Sequence, residues 1–126
     1  MSGLLYVAAG GAIGASCRHL VGMASLRVFG TDYPYGTFIA NVFGSFLMGL
    51  LAGWLAFKIS GGTNIRLFLG VGVLGGFTTF SAFSLDAILM LERKAYGAFA
   101  SYVMGSVIVS LIALILGLFL SRKIFL

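Results

Sequence analysis

Four long apolar segments divide this chain and constrain its fold more than any other feature. They cover residues 4–28, 35–59, 65–91 and 95–120, and a helix needs only about 20 apolar residues to cross a bilayer. Of the 126 residues, 9% are charged, whereas about a quarter are charged in a soluble domain. The sequence therefore predicts an all-α integral membrane protein in which residues 1–126 form a single domain of four transmembrane helices.

The third apolar segment contains residues that an ordinary membrane-spanning helix lacks. Near its middle, the paired glycines Gly75 and Gly76 are followed by the adjacent threonines Thr78 and Thr79. These residues weaken a helix, and non-helical backbone at membrane depth is tolerated only where protein buries it or where it lines a polar cavity. We therefore expect the third helix to be broken near its middle, next to an ion site.

The basic residues predict no preferred orientation in the membrane. With four spans, both chain ends and the second loop lie on one side, and Lys and Arg normally mark the cytoplasmic side. One side carries Lys58, Arg66, Arg122 and Lys123, and the other carries Arg27, Arg93 and Lys94, joined by Arg18 if its side chain reaches the interface. This balance predicts insertion in both orientations and an antiparallel, dual-topology homodimer. A single orientation, set by features outside this count, is the alternative.

Glycines at helical spacing predict close contacts between the helices. Gly10 and Gly14 lie four residues apart, as do Gly49 and Gly53, and Gly70 adjoins further small residues. Small residues at this spacing let helix backbones approach closely in lipid. Because four short helices can barely enclose a polar path of their own, this packing also favours an oligomer.

Polar residues recur every fourth position in the second and fourth segments. They are Thr37, Asn41 and Ser45 in the second segment, and Tyr102, Ser106 and Ser110 in the fourth. This spacing places each set on one helix face. Two interpretations stay open for the hydroxyls, namely hydrogen bonds that only hold the helices together and two polar tracks along an ion path. The amide of Asn41 favours the second interpretation, because a buried amide needs several partners.

Phenylalanines at the expected break indicate which ion such a path would suit. Phe77, Phe80 and Phe83 lie three residues apart among hydroxyl side chains. Packing is the ordinary role of such a stripe, but the edge of a phenyl ring carries partial positive charge. Ring edges, hydroxyls and an amide together can bind a small anion without a fixed cation to retain it. The backbone carbonyls of Gly75 and Thr78 would instead suit a bare cation.

The few remaining ionisable residues carry weaker predictions. The apolar stretch before Arg18 is too short to cross a bilayer by itself. We therefore expect Arg18 near the headgroups, either at an entrance where it gathers anions or as an interfacial anchor. For Asp86 we favour pairing with a basic residue. Cys17 and His19 are each single in the sequence, which leaves no metal cluster, and we expect Cys17 to be buried. The basic residues form no stripe, so nucleic-acid binding is not expected.

Two sequence motifs resemble those of a known family. Residues 36–49, GTFIANVFGSFLMG, and residues 75–84, GGFTTFSAFS, resemble the two signature motifs of the CrcB/Fluc fluoride channels. Length, number of spans and motif order agree over essentially the whole chain. The resemblance implies a fluoride-selective channel in a bacterial inner membrane, surrounded by lipid, that relieves toxicity by letting fluoride leave the cytoplasm passively. It also implies an antiparallel homodimer with two pores.

The resemblance further implies roles for particular residues. Asn41, Phe80 and Phe83 would line the pore, and Ser106 and Ser110 would form a track beside Tyr102. The carbonyls of Gly75 and Thr78 would bind a central structural sodium ion shared by both subunits. Arg18 would be the family's first-helix arginine. The chain departs from the family pattern at two positions. Ala82 stands where relatives usually have Thr or Ser, and Asp86 stands where they often have Glu.

Two other functions compete with the channel, and enzymatic activity is not expected. A dual-topology small multidrug exporter needs a membrane-embedded carboxylate that exchanges protons for cations, and the first, second and fourth segments contain no Asp or Glu. A noncatalytic membrane subunit would use the polar stripes only for packing. No nucleophile–base pair or metal-ligand cluster is evident that would support an enzyme.

Overall fold

The computed structural model describes residues 2–56 and 62–125, and this part of the chain consists of helices joined by short connections. The third span has two halves, α3 and α4, of which α3 is a succession of three helical pieces. The elements are α1 (Ser2–Phe29), α2 (Tyr35–Ala56), α3 (Gly62–Ile65, Arg66–Leu74 and Gly75–Phe77), α4 (Phe80–Glu92) and α5 (Tyr96–Phe125).

Within the described residues, four helical segments are long and apolar enough to cross a membrane. They are Ser2–Phe29, Tyr35–Ala56, Gly62–Glu92 and Tyr96–Ile124. Their mean hydropathy, between 1.3 and 2.7 over the most apolar window, is sustained over the ~20 residues that a bilayer crossing requires. The prediction of an all-α membrane protein with four spans is confirmed.

The structure corrects two predicted connections. Gly62, Thr63 and Asn64, expected in the second loop, lie in the first turn of α3, where the backbone N–H groups have no intrahelical partner and such residues are tolerated. The last helix continues beyond the predicted end at residue 120, because Arg122 and Lys123 in its last turn complement the negative end of the helix dipole. Lys58 and the rest of the segment 57–61 lie outside the described residues.

Glycines bring pairs of helices into backbone contact. A Cβ atom at Gly14 would strike the carbonyl oxygen of Val73, so α1 and α3 touch along their backbones. In the same way, a Cβ atom at Gly49 would strike the Leu114 carbonyl oxygen, and one at Gly117 would strike that of Phe46. The predicted close approach of helices at glycine positions is confirmed for α1 with α3 and for α2 with α5.

The core of the single chain is small. Its buried centre comprises Phe83, Ala87, Met90 and Tyr102, which join α4 to α5. Many large apolar side chains elsewhere are exposed, as suits helices whose solvent is hydrocarbon. Cys17, expected to be buried, is exposed in the single chain.

Candidate functional site

The helical backbone of the third span is interrupted at two threonines. The helix ends at Phe77 and resumes at Phe80. The two residues between them, Thr78 (φ −88°, ψ 156°) and Thr79 (φ −153°, ψ 125°), have extended backbone. Thr79 caps the new helix, since its Oγ1 accepts a hydrogen bond of 3.1 Å from the Ala82 N–H. Threonine suits this position because its side-chain oxygen satisfies one of the N–H groups that a helix start leaves unpaired.

Asn41 of α2 fixes the extended backbone through both ends of its amide. Its Nδ2 donates to the Thr79 carbonyl at 3.0 Å, and its Oδ1 accepts from the Thr79 N–H at 2.8 Å. In a continuous helix that N–H would donate to the carbonyl of Gly75 four residues earlier. This Asn41 clamp therefore takes up the Thr79 N–H group, which would otherwise donate to the Gly75 carbonyl.

A cavity of about 480 Å³ lies beside these threonines, and we call it the inner cavity. It brings together seven of the nine residues to which the family resemblance assigns roles, namely Asn41, Gly75, Thr78, Phe80, Phe83, Ser106 and Ser110. They come from α2, the junction of α3 with α4, and α5. The described residues that line it carry no formal charge. This lining offers an ion hydroxyls, an amide and aromatic rings.

Two hydroxyls of the inner cavity have no hydrogen-bond partner. The Oγ atoms of Ser106 and Ser110 are buried and unpaired. Ser121 on the same helix is different, because its buried hydroxyl donates to the Leu50 carbonyl at 2.9 Å. Leaving a buried hydroxyl unpaired costs about 1 to 3 kcal/mol, and such a group in a native structure points to a missing partner such as an ion or a water.

The phenylalanine stripe divides into rings with different surroundings. Phe77 is buried and packs against Phe43 of α2, with ring centroids 6.4 Å apart. Phe80 and Phe83 border the inner cavity with centroids 5.5 Å apart, but Phe83 is 8% exposed and Phe80 is 78% exposed. Within this chain Phe80 therefore contributes little to packing, which makes it the cleaner probe of an ion-binding role.

Tyr102 lies behind the inner cavity. Its side chain is fully buried, its ring centroid lies 5.2 Å from that of Phe83, and its hydroxyl donates to Asp86 Oδ2 at 3.1 Å. The favoured pairing of Asp86 with a basic residue is therefore wrong, because α4 directs this carboxylate towards the Tyr102 hydroxyl on α5.

A second cavity, of about 500 Å³, adjoins Asp86, and we call it the outer cavity. Three charged side chains, Arg18, Asp86 and Arg93, and the single histidine His19 border it. Arg18 is part-buried, and its Nε donates to the Gly76 carbonyl at 3.2 Å. The guanidinium is thus bound to the third span immediately before the extended threonines, which ties α1 to that junction.

Sequence reasoning missed Tyr33 as a constituent of this region. The residue lies in the loop between α1 and α2, borders the outer cavity, and stacks edge-on against Tyr102 with centroids 5.6 Å apart. The available signal was a pair of tyrosines flanking Pro34 in a short loop, a pattern that does not by itself reveal which helix the rings contact.

Comparisons with known proteins agree with this architecture. The sequence model of the family described as CrcB-like protein, Camphor Resistance (CrcB), matches residues 5–118. A Caulobacter sp. (strain K31) protein named fluoride-specific ion channel FluC is 55% identical over 128 residues, which is 99% of this chain and 98% of that protein. A protein of the same name from Phenylobacterium zucineum (strain HLK1) is 56% identical over 126 residues, or 99% of each chain. One from Agrobacterium fabrum (strain C58) is 49% identical over 125 residues, covering 99% of this chain and all of that protein. The chain therefore belongs to the CrcB family of multi-pass bacterial membrane proteins.

Proposed function

We propose that this protein is a fluoride-selective channel of the bacterial inner membrane, through which fluoride leaves the cytoplasm passively. The names of the relatives, which share about half of their residues with this chain, support fluoride as the ion. The observation that carries the proposal is the pair of buried, unpaired hydroxyls of Ser106 and Ser110 in the inner cavity. An anion that accepts hydrogen bonds is the partner that these donors lack.

The other groups of the inner cavity suit a small anion that must enter and leave. Phe80 and Phe83 supply ring edges of partial positive charge, and Asn41 retains donor capacity because a side-chain amide has two N–H bonds and Thr79 uses one. None of these groups is a fixed cation. Conduction requires binding that is favourable enough for entry and weak enough for release, and neutral donors meet both conditions.

The functional assembly in this proposal is an antiparallel, dual-topology homodimer with two pores. The inner cavity is bordered by Phe80, whose ring is 78% exposed, and by Gly75, which is also exposed. An exposed ring and an exposed glycine at the mouth of a polar cavity are explained if a second copy covers them. The nearly equal distribution of Lys and Arg supports opposite orientations of the two copies.

A sodium ion held by the Gly75 and Thr78 carbonyls fits this assembly. Both residues border the inner cavity, and the Gly75 carbonyl lacks its regular helical donor because the Thr79 N–H binds Asn41. Carbonyl oxygens replace the hydration shell of a monovalent cation. The carbonyls of one chain are too few for this, whereas those of two copies meeting at the third span would surround the ion. Its field would offset part of the cost of bringing an anion into the membrane.

Ion efflux from liposomes that contain only this protein tests the channel. We expect fluoride to leave rapidly and chloride to leave at nearly the rate of protein-free liposomes. Equal rates for the two anions, or no fluoride flux, would contradict the proposal. A noncatalytic subunit would pass neither ion, and a multidrug exporter would instead move organic cations in response to a proton gradient.

Orientation and sodium binding need separate measurements. A tag at the chain end should be labelled from both sides of intact cells, and two lysines added to one loop should shift that balance. Labelling from one side only would contradict dual topology. Isotopic sodium should bind to the purified protein without crossing the membrane with the anion, so sodium flux accompanying fluoride would refute a structural role.

A further inference from the structure

We infer that Tyr33 is a positioning residue that holds the ring of Tyr102 in place as the wall between the outer and inner cavities. The inference deepens the proposed function and rests on it for its meaning in ion transport. The wall itself is a property of the fold and can be tested without measuring any ion flux.

Tyr102 contacts residues of both cavities but lines neither of them. Among the described residues, no side chain borders both the inner and the outer cavity. Tyr102 is fully buried, its hydroxyl donates to Asp86 of the outer cavity, and its ring packs on Phe83 of the inner cavity. The ring therefore stands between Asp86 and Phe83, and a continuous aqueous path between the two cavities through this point requires the ring to move.

Tyr33 covers the side of Tyr102 that faces the outer cavity. The two rings meet edge to face, with centroids 5.6 Å apart and an interplanar angle of 89°, which is the favoured geometry for an aromatic pair. The Tyr33 hydroxyl bonds to Ser101 Oγ at 3.3 Å, while the Ser101 hydroxyl donates to the Ala98 carbonyl at 3.0 Å. Because Ser101 has one hydroxyl proton and uses it on Ala98, Tyr33 is the donor in the first bond.

The loop that carries Tyr33 is fastened to two helices. Arg93, at the end of α4, donates from Nη2 to the Asp32 carbonyl at 3.4 Å, and Tyr33 itself bonds to Ser101 on α5. Within the loop, the Tyr35 N–H donates to the Tyr33 carbonyl at 2.8 Å. The loop thus forms a strap that passes over the α4–α5 core.

The strap obstructs the direction in which the Tyr102 ring has room to move. Phe83 packs on Tyr102 from the side of the inner cavity. Further apolar side chains pack against the same core, among them Phe38, Phe99 and Val103. The outer cavity is the free volume into which the Tyr102 ring could turn, and Tyr33 stands in that direction. Removing the Tyr33 ring therefore loosens the wall while the residues that line the inner cavity stay unchanged.

The test measures how quickly a water-soluble reagent reaches the inner cavity. Cys17 is exposed, so it is replaced in a Cys17→Ser background, and a single cysteine is introduced by Ser106→Cys. The probe is a positively charged methanethiosulfonate reagent applied to the protein in liposomes. With Tyr33→Ala we expect modification to become about tenfold faster, the ratio that corresponds to losing one edge-to-face ring contact.

Three further variants separate positioning from general damage. Tyr33→Phe keeps the ring, so the modification rate should stay within about twofold of the parent, because the ring contact is retained. Tyr96→Ala removes an exposed tyrosine of α5 that borders neither cavity and should leave the rate unchanged. Tyr33→Leu, which keeps apolar bulk without a ring face or hydroxyl, replaces Tyr33→Ala if the latter does not give intact protein by size exclusion.

The outcomes distinguish this inference from the proposed function. Faster modification in Tyr33→Ala or Tyr33→Leu, with Tyr33→Phe close to the parent, supports the positioning role even if the protein conducts no fluoride. Modification at the parent rate in an intact Tyr33→Ala or Tyr33→Leu protein overturns it, even if fluoride flux is normal. If fluoride does pass, the same variants should admit chloride more readily, whereas a purely structural defect would lower both fluxes together.

Discussion

The outer and inner cavities have nearly the same volume, about 500 Å³ and 480 Å³, but their linings differ in formal charge. The outer cavity is bordered by Arg18, His19, Asp86 and Arg93, whereas the described lining of the inner cavity has hydroxyls, an amide and rings without formal charge. A fixed charge that faces water attracts ions at modest energy, whereas the same charge removed from water would bind an opposite ion far more tightly. Charge placed outside therefore raises the local ion concentration, and neutrality inside permits release.

The largest expected effect comes from changing an aromatic ring of the inner cavity. Phe80→Ile keeps apolar bulk but removes the ring edge, and an edge interaction of about 1.5 kcal/mol corresponds to more than about tenfold in rate. Fluoride efflux should collapse, while the protein should stay intact by size exclusion because Phe80 is 78% exposed in the chain.

Two comparison variants sharpen the Phe80 result. Phe119→Ile, an exposed phenylalanine that borders neither cavity, should conduct normally. Phe83→Ile should also abolish flux, but with an added loss of stability because its ring packs on Tyr102. Wild-type efflux in both Phe80→Ile and Phe83→Ile would mean that these rings only pack.

The next effect separates two buried serines of the same helix. Ser106→Ala removes an unpaired hydroxyl, so fluoride efflux should fall about three- to tenfold, with Ser110 partly replacing the lost donor, while the free energy of unfolding stays equal or rises by about 1 kcal/mol. Ser121→Ala breaks the bond to the Leu50 carbonyl and should lower stability by about 1 kcal/mol without altering flux. Equal losses of stability in both variants would contradict an ion-binding role for Ser106.

A smaller effect is expected in the outer cavity, where charge acts at longer range. Arg93→Gln should lower the fluoride efflux rate about two- to threefold at low salt and much less at 0.5 M salt, because salt screens such attraction. Arg27→Gln, which does not border that cavity, is the matched control. A salt-independent loss would assign Arg93 a structural role through its bond to the Asp32 carbonyl.

The smallest effect should have the opposite sign. Asp86→Asn keeps an oxygen that accepts from the Tyr102 hydroxyl but removes the one described carboxylate bordering the outer cavity. Less repulsion of anions should raise fluoride efflux by no more than about twofold at low salt. Efflux that falls after this substitution would show that the carboxylate, and not the outer cavity's positive balance, is needed for entry.

The sequence predicted the elements of this molecule better than their contacts. The four spans and the alignment of Ser106 with Ser110 follow from local periodicity, which the folded structure retains. The partner of Asn41 could not be predicted, because Thr79 is 38 residues away and only the docking of two helices brings them together. Tyr33 was missed for the same reason, since Ser101, its hydrogen-bond partner, is 68 residues away.

The polar face of α2 borders two cavities, which the periodicity of the sequence did not distinguish. Thr37 borders the outer cavity, whereas Asn41 and Ser45 border the inner cavity. A helix wheel places all three on one face but does not reveal that two separate cavities border that face at different positions along the helix. Division along a helix is set by the neighbouring helices, which explains why the sequence predicted one continuous track.

The Asn41 clamp has a consequence for how the chain inserts into the membrane. Extended backbone that is not hydrogen-bonded in lipid costs several kcal/mol per group, and the N–H and carbonyl of Thr79 are satisfied by Asn41. Because α2 is synthesised before residues 62–92, the amide is already in the membrane when the third span arrives. That span would therefore enter as an uninterrupted helix and open only on docking against α2, so a peptide of residues 62–92 alone in lipid should be helical through Thr78 and Thr79.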